Sequence, residues 1–152
     1  MKLKDIVSSI QKISKLKDPV NNTLEKWSRP NGLNIKRVSI PIGVIGVIYE
    51  SRPNVTSDVA SLCFKSGNSV ILKPAEQSSF SAIRVAELAV EAGIPDGVFN
   101  VLPGRGKEVG RLLSLHNDVE CVSFTGSTSV GRKILQYSAK SNLKKVALEC
   151  GG

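Results

Sequence analysis

The chain has 152 residues, of which 41% are hydrophobic, with 13 glycines and 7 prolines; that is apolar material for one globular core and argues against a disordered or fibrous chain. Lys and Arg number 21 against 13 Asp and Glu, a formal charge of +8, which favours anionic partners such as nucleotides or acidic metabolites. Nucleic acid is disfavoured as a partner, because the basic residues are scattered and four Phe, two Tyr and one Trp supply no basic stripe with interleaved aromatics.

Leu3, Ile6, Val7, Ile10, Ile13 and Leu16 recur at helical spacing with lysines between them, so residues 3 to 16 are expected to form an amphipathic helix stopped by Asp18-Pro19. Asn21 to Gly32 is turn-rich, and Ile35 to Ile40 alternates like a half-exposed strand. The stretch Gly43 to Tyr49 is continuously apolar, as a strand covered on both faces should be. A Pro/Asn loop follows, then a helix near Val59 to Lys65 closed by Gly67, and a buried strand from Ser69 to Leu72. Ser78-Ser79 is expected to cap a helix running to Gly93, and Pro95-Asp96-Gly97 to turn the chain into a strand at Val98 to Leu102. A short helix near Glu108 to Leu115, a strand at Glu120 to Phe124, a helix from Thr128 to about Ala139 and a strand at Lys145 to Leu148 complete the series.

Short apolar strands separated by single helices require right-handed crossovers, which predicts an α/β fold: a doubly wound parallel sheet of about five core strands with an N-terminal amphipathic helix. The division expected is a lead segment over 1–34 and the sheet domain over 35–152. Ligands of such sheets settle at the carboxyl ends of the strands, here the loops beginning at Glu50, Lys73, Pro103, Thr125 and Glu149.

Those loops hold the candidate site residues. After Phe124 the strand is expected to break at a glycine into a helix whose first turn is Gly126-Ser127-Thr128, where unpaired N–H groups and hydroxyls suit a phosphate or pyrophosphate. Lys73-Pro74-Ala75-Glu76 places a cation and a carboxylate just past a buried strand, and Glu149 precedes Gly151-Gly152 at a strand end as a candidate acid/base. Taken alone, Lys73-Pro74-Ala75-Glu76 reads first as a solvated turn and Glu149 as an ordinary strand-end carboxylate. The G-x-G-x-x-G fingerprint is absent, since Gly104-x-Gly106 is followed by glycine only at Gly110. Gly126-x4-Gly131 mimics a phosphate-binding ATPase loop, but Arg132-Lys133 follows where Lys and then Ser/Thr are required, so that reading is rejected. His116 reads as a helix terminator. Cys63, Cys121 and Cys150 are an odd number without metal spacing, so no metal is expected; they read as three buried small hydrophobes, with Cys150 facing away from Glu149. No apolar run reaches membrane-spanning length and the first residues lack a secretory leader, so a cytoplasmic protein is expected.

Taken together, KPAEQSS, AELAVEAGIPDGVFNVLPG, FTGSTSVG and ALECGG, in this order and spacing, resemble the aldehyde dehydrogenase superfamily. From about Asp18 to Asn68 the chain is most similar to gamma-glutamyl phosphate reductase, the branch that makes glutamate 5-semialdehyde in proline synthesis; from Lys73 onward it is similar to ordinary aldehyde dehydrogenases. The resemblance implies a Rossmann-like cofactor-binding domain in which Lys73 and Glu76 contact the adenosine ribose and Gly126, Ser127 and Thr128 seat the pyrophosphate. It implies Glu149 as general base, and Asn54, in ESRPNVT, as the nearest counterpart of the family's oxyanion asparagine. It also implies a coenzyme, NAD or NADP: Glu76 would crowd a 2′-phosphate, whereas the reductase resemblance favours NADP. The family's catalytic cysteine and oligomerisation strands lie downstream of the Glu-x-Gly-Gly strand, so the expectation is a dinucleotide-binding chain, inactive by itself, whose full enzyme takes an aldehyde or acyl phosphate and forms a homo-oligomer. The alternatives are a fragment of a general aldehyde dehydrogenase that oxidises an aldehyde with NAD, and a non-catalytic nucleotide-binding or self-association module.

Overall fold

Seven strands and five α-helices are arranged along residues 3–50 and 52–151, the residues that the computed structural model describes. Helix α1 (Leu3–Ser14) lies against α2 (Pro53–Lys65) without fully burying any residue. The helix ends at Ser14, and Lys65 Nζ ties the exit by donating to the Ser14 carbonyl at 3.2 Å.

The segment expected to be turn-rich contains a strand instead. Strand β1 (Thr23–Ser28) pairs antiparallel with β2 (Asn34–Val38), and only Arg29 to Leu33 forms the turn, closed by Arg29 N–H donating to the Leu33 carbonyl at 2.9 Å with Gly32 at φ +84°. The turn residues that flank Leu24 to Trp27 masked the strand, and a register shift between Thr23 and Glu25 breaks its alternation. The hairpin reaches across residue 34 and is largely exposed.

The core is a five-stranded parallel sheet in the order β5-β4-β3-β6-β7, made of β3 (Val44–Ile48), β4 (Ser69–Lys73), β5 (Phe99–Val101), β6 (Cys121–Ser127) and β7 (Lys145–Gly151). The chain winds outward from β3 one way through β4 and β5, then returns to β6 and β7 on the other side, so the order reverses between β3 and β6. Helices α2 and α3 (Ser79–Glu91) cover one face over Val47, Val70, Leu72 and Phe99. Helices α4 (Arg111–Leu115) and α5 (Thr128–Ala139) cover the other over Ile48, Val122 and Phe124.

Several boundaries differ from expectation: α1 ends at Ser14 rather than residue 16, α4 begins at Arg111 after a π turn rather than near Glu108, and β7 runs on to Gly151 rather than ending at Leu148. Helix α2 starts at Pro53 rather than near Val59, because proline at the first helical position gives up an N–H that would be unpaired anyway. Ser78 does not cap α3: its hydroxyl donates back to the Ala75 carbonyl at 3.4 Å, and a 3₁₀ turn over Glu76–Ser78 leads the chain in. Strand β6 does not break at Gly126; pairing with Cys150 and Gly151 carries it through Ser127.

Candidate functional site

Side chains alternate along each strand, and the parallel register aligns Lys73, Ile48, Phe124 and Leu148 across four neighbouring strands. Ile48, Phe124 and Leu148 belong to the cluster under α4 and α5, so Lys73 shares that face. The next aligned pair, Thr125 and Glu149, has the opposite sense, and the pair after it, Gly126 and Cys150, returns to the α4–α5 face.

A cleft of about 990 Å³ opens where the strand order reverses. Ile48 and Phe124 form its floor, Lys73, Glu76 and Gln77 one end, Gly106, Lys107, Gly110 and Arg111 one wall, and Gly126, Ser127, Val130, Lys133 and Tyr137 the other. At Gly126 a Cβ would come within 2.6 Å of Phe124 Cζ, so only glycine lets the backbone cross the aromatic floor. Gly46 does the same for the wall, because a Cβ there would meet Leu113 Cγ of α4 at 3.0 Å.

The cleft is electropositive. Arg52, Lys73, Lys107, Arg111 and Lys133 line it against Glu50 and Glu76. Among the described residues no carboxylate lies within 4.0 Å of any of these cations. Lys73 is 5% exposed; burial holds its ammonium below the usual lysine range, partly offset by the charge of Glu76. Tyr49, also lining the cleft, is fixed to Thr56 of α2 by a 2.6 Å hydroxyl contact, and burial raises its phenol above the usual value. At the head of α5 no side chain caps the first amides. Free helix N-terminal amides, unneutralised cations and an apolar floor match a diphosphate joined to a flat heterocycle, so the residues fit a dinucleotide.

Of the residues singled out from sequence, the structure gathers Lys73, Glu76, Gly126 and Ser127 in one cleft. Thr128 stands beside them at the start of α5, its hydroxyl donating to the Gly151 carbonyl at 3.2 Å; Ser127 and Ser129 hydroxyls meet each other at 3.1 Å. Glu149 and Asn54 do not line the cleft. Glu149 is exposed at the end of β7 on the other face, and Asn54 is half-buried in the first turn of α2, where its carbonyl accepts from Ser57 Oγ at 3.1 Å.

His116 follows the last residue of α4, as expected, and its Nδ1 accepts from the Asp118 N–H at 3.2 Å. The cysteine expectation needs one correction. Cys63 and Cys121 are buried, but Cys150 is exposed, because β7 is an edge strand. Its sulfur is turned to α5, 2.8 Å from where a Cβ of Gly131 would lie, and so away from the Glu149 face. Burial pushes the Cys63 thiol up to about 11 and raises Cys121 as well, leaving neither disposed to ionise. Among the described residues no cluster of His, Cys, Asp and Glu could hold a metal, and no helix is long and apolar enough to cross a membrane.

Sequence reading missed the α4 wall and Arg52, Lys133 and Tyr137. A signal was present: Gly106 and Gly110, set aside for failing the dinucleotide spacing, both line the cleft.

The reversal of strand order, the cationic cleft at the strand ends and the uncapped helix beside it define a nucleotide-binding α/β domain. Residues 3–152 match the model of the aldehyde dehydrogenase family. The chain belongs to that family. It is 52% identical over 118 residues to the aminoacetaldehyde dehydrogenase of Pseudomonas aeruginosa, covering 74% of this chain and 23% of that one. It is 39% identical over 142 residues to a gamma-glutamyl phosphate reductase of Caldanaerobacter subterraneus, covering 90% of this chain and 34% of that one. The crystal structure of PnpE in complex with nicotinamide adenine dinucleotide superposes with a TM-score of 0.78 at 38% identity, over 84% of this chain and 26% of that one. The chain therefore spans about a quarter to a third of the length of these relatives.

Proposed function

We propose that this chain is the coenzyme-binding part of an NAD(P)-dependent oxidoreductase of the aldehyde dehydrogenase superfamily. The observation that carries the reading is the convergence of Lys73 and Glu76 with Gly126 and Ser127, two short segments distant in sequence, on one electropositive cleft. In this reading Lys73 and Glu76 take the adenosine ribose, and the amides at Ser127 and Thr128 take the pyrophosphate at the positive end of α5. The coenzyme, when bound, supplies the hydride acceptor or donor. Glu149, on the opposite face at the same sheet edge, is assigned the general base, and Asn54 the oxyanion donor. None of the three cysteines is placed as the nucleophile: Cys63 and Cys121 are buried, and Cys150 is turned to α5. A covalent adduct with substrate therefore draws on a thiol outside these residues.

For the substrate, the similarity of residues 18–68 to the reductase supports the interconversion of gamma-glutamyl phosphate and glutamate 5-semialdehyde, in a cytoplasmic homo-oligomer. A second reading, oxidation of a simple aldehyde, is supported by the 52% identity to aminoacetaldehyde dehydrogenase. Calorimetric titration of the purified chain with NAD and with NADP tests the shared part. Saturable binding of either, weakened by Lys73→Ala, sustains it; silence with both points instead to a self-association module.

A further inference from the structure

We propose that Lys144 is a positioning residue for the cleft: buried below the C-terminal end of α4, it holds the α4 wall at the spacing a dinucleotide needs. The inference rests on the coenzyme reading above.

Lys144 is 6% exposed and has no carboxylate within ion-pair distance among the described residues. Its ammonium instead donates to the Ser114 carbonyl at 2.8 Å and to Ser141 Oγ at 2.8 Å. The Ser114 carbonyl belongs to the last turn of α4, where helix carbonyls lack intrahelical partners and a cation is favourably placed. Ser114 is fully buried, and its hydroxyl donates to the Gly110 carbonyl at 2.7 Å, one turn up. Gly110 lines the cleft, where a Cβ would stand 3.7 Å from Ile48 Cδ1 of the floor. Two hydrogen bonds thus link Lys144 to the cleft wall.

The foot is tied a second time. Asn142 Nδ2 donates to the carbonyls of Asn117 (2.6 Å) and Val119 (3.0 Å), while its Oδ1 accepts the Lys144 N–H at 3.2 Å. Ser138 Oγ of α5 donates to the Lys144 carbonyl at 2.7 Å. The turn between α5 and β7 is therefore fastened to the turn between α4 and β6.

Such a tie matters because α4, five residues preceded by a π turn over Gly106–Gly110, is too short to hold itself in place. Stability alone does not explain a lysine here, since burial works against its charge and a methionine would fill a similar volume without that cost. Fixing the distance between α4 and α5, the two walls of the cleft, does explain it.

Titration of the full chain with NAD and NADP, with hydrogen exchange followed across residues 106–115, tests the proposal. Lys144→Met should weaken the coenzyme that the wild type binds by about tenfold, and Lys144→Arg should recover most of that loss. Ile94→Ala, a truncation packed under the opposite face, serves as the control for general loosening and should leave affinity within about twofold of wild type. Wild-type affinity in Lys144→Met, or an equal loss in Ile94→Ala, overturns the proposal. If Lys144→Met fails to fold, Ser114→Ala, which cuts only the bond to Gly110, carries the same comparison. If the wild type binds neither coenzyme, the coenzyme reading fails, and with it the stated purpose of the tie. The exchange data then judge only the geometry: faster exchange at 110–115 with α2 unchanged would show that Lys144 fixes α4.

Discussion

On one face of the sheet, Val47, Val70, Leu72 and Phe99 lie beneath two helices of 13 residues each; on the other, the wall over β3 is a π turn and a five-residue helix. The same strands serve both faces. The difference lies in what their alternating side chains meet: long helices close the first face against water, and the short α4 leaves the second open over Ile48 and Phe124. Both faces bury a core cluster, but the cationic cleft opens on the second, so under the coenzyme reading proposed above, substitutions in the closed core and in the cleft should separate stability from coenzyme affinity.

The largest expected stability effect is on the closed face. Leu72→Ala, at a side chain with no exposure, should cost about 2–5 kcal/mol in urea unfolding through lost burial and a cavity. Val130→Ala, at a 41% exposed residue of the cleft, should cost less than about 1 kcal/mol; equal losses would break the contrast.

Gly126→Ala should act the other way round. The added Cβ forces the Phe124 ring out of the floor, so coenzyme affinity is expected to fall about tenfold or more by calorimetry, at a stability cost of about 1–3 kcal/mol for overpacking.

Lys73 sharpens the comparison through pH. Its ammonium is the form that can donate to the coenzyme, and its proton affinity lies below the ordinary 10.5. Affinity should therefore decline as pH rises through that lowered value, before an ordinary lysine would titrate, and Lys73→Ala should abolish this limb of the titration. Folding stability has the opposite sign over the interval between the folded value and 10.5, because the unfolded chain then holds more protons and stability rises with pH.

The smallest effect concerns the thiols. In the native chain at mildly alkaline pH, one of the three cysteines should react promptly with a disulfide reagent, because only Cys150 is exposed. Cys150→Ser should remove the fast phase and leave unfolding within about 0.5 kcal/mol of wild type.

Most of the parallel sheet was legible from sequence because each strand is a short apolar run and each crossover a single helix, and both periodicities are local. Thr23–Ser28 was not, since its partner β2 lies beyond a turn and pairing, rather than alternation, defines the strand. In the site, Lys73, Glu76, Gly126 and Ser127 were legible as residues at strand ends. The wall contributed by Gly106, Lys107, Gly110 and Arg111 was not, because its membership depends on how α4 packs against the floor.

Sequence by itself determined the class of fold, the family, and the strand ends from which the site is built, since hydrophobic period and motif order are properties of the chain alone. Only the tertiary structure decided which of those residues face one another. It turned Lys73 and Gly126 into the cleft and Glu149 to the opposite face, continued β6 past its glycine, and sank Lys144 beneath α4. The reason is physical: a side chain's direction is set by strand register, and register is fixed by contacts between segments far apart in the sequence.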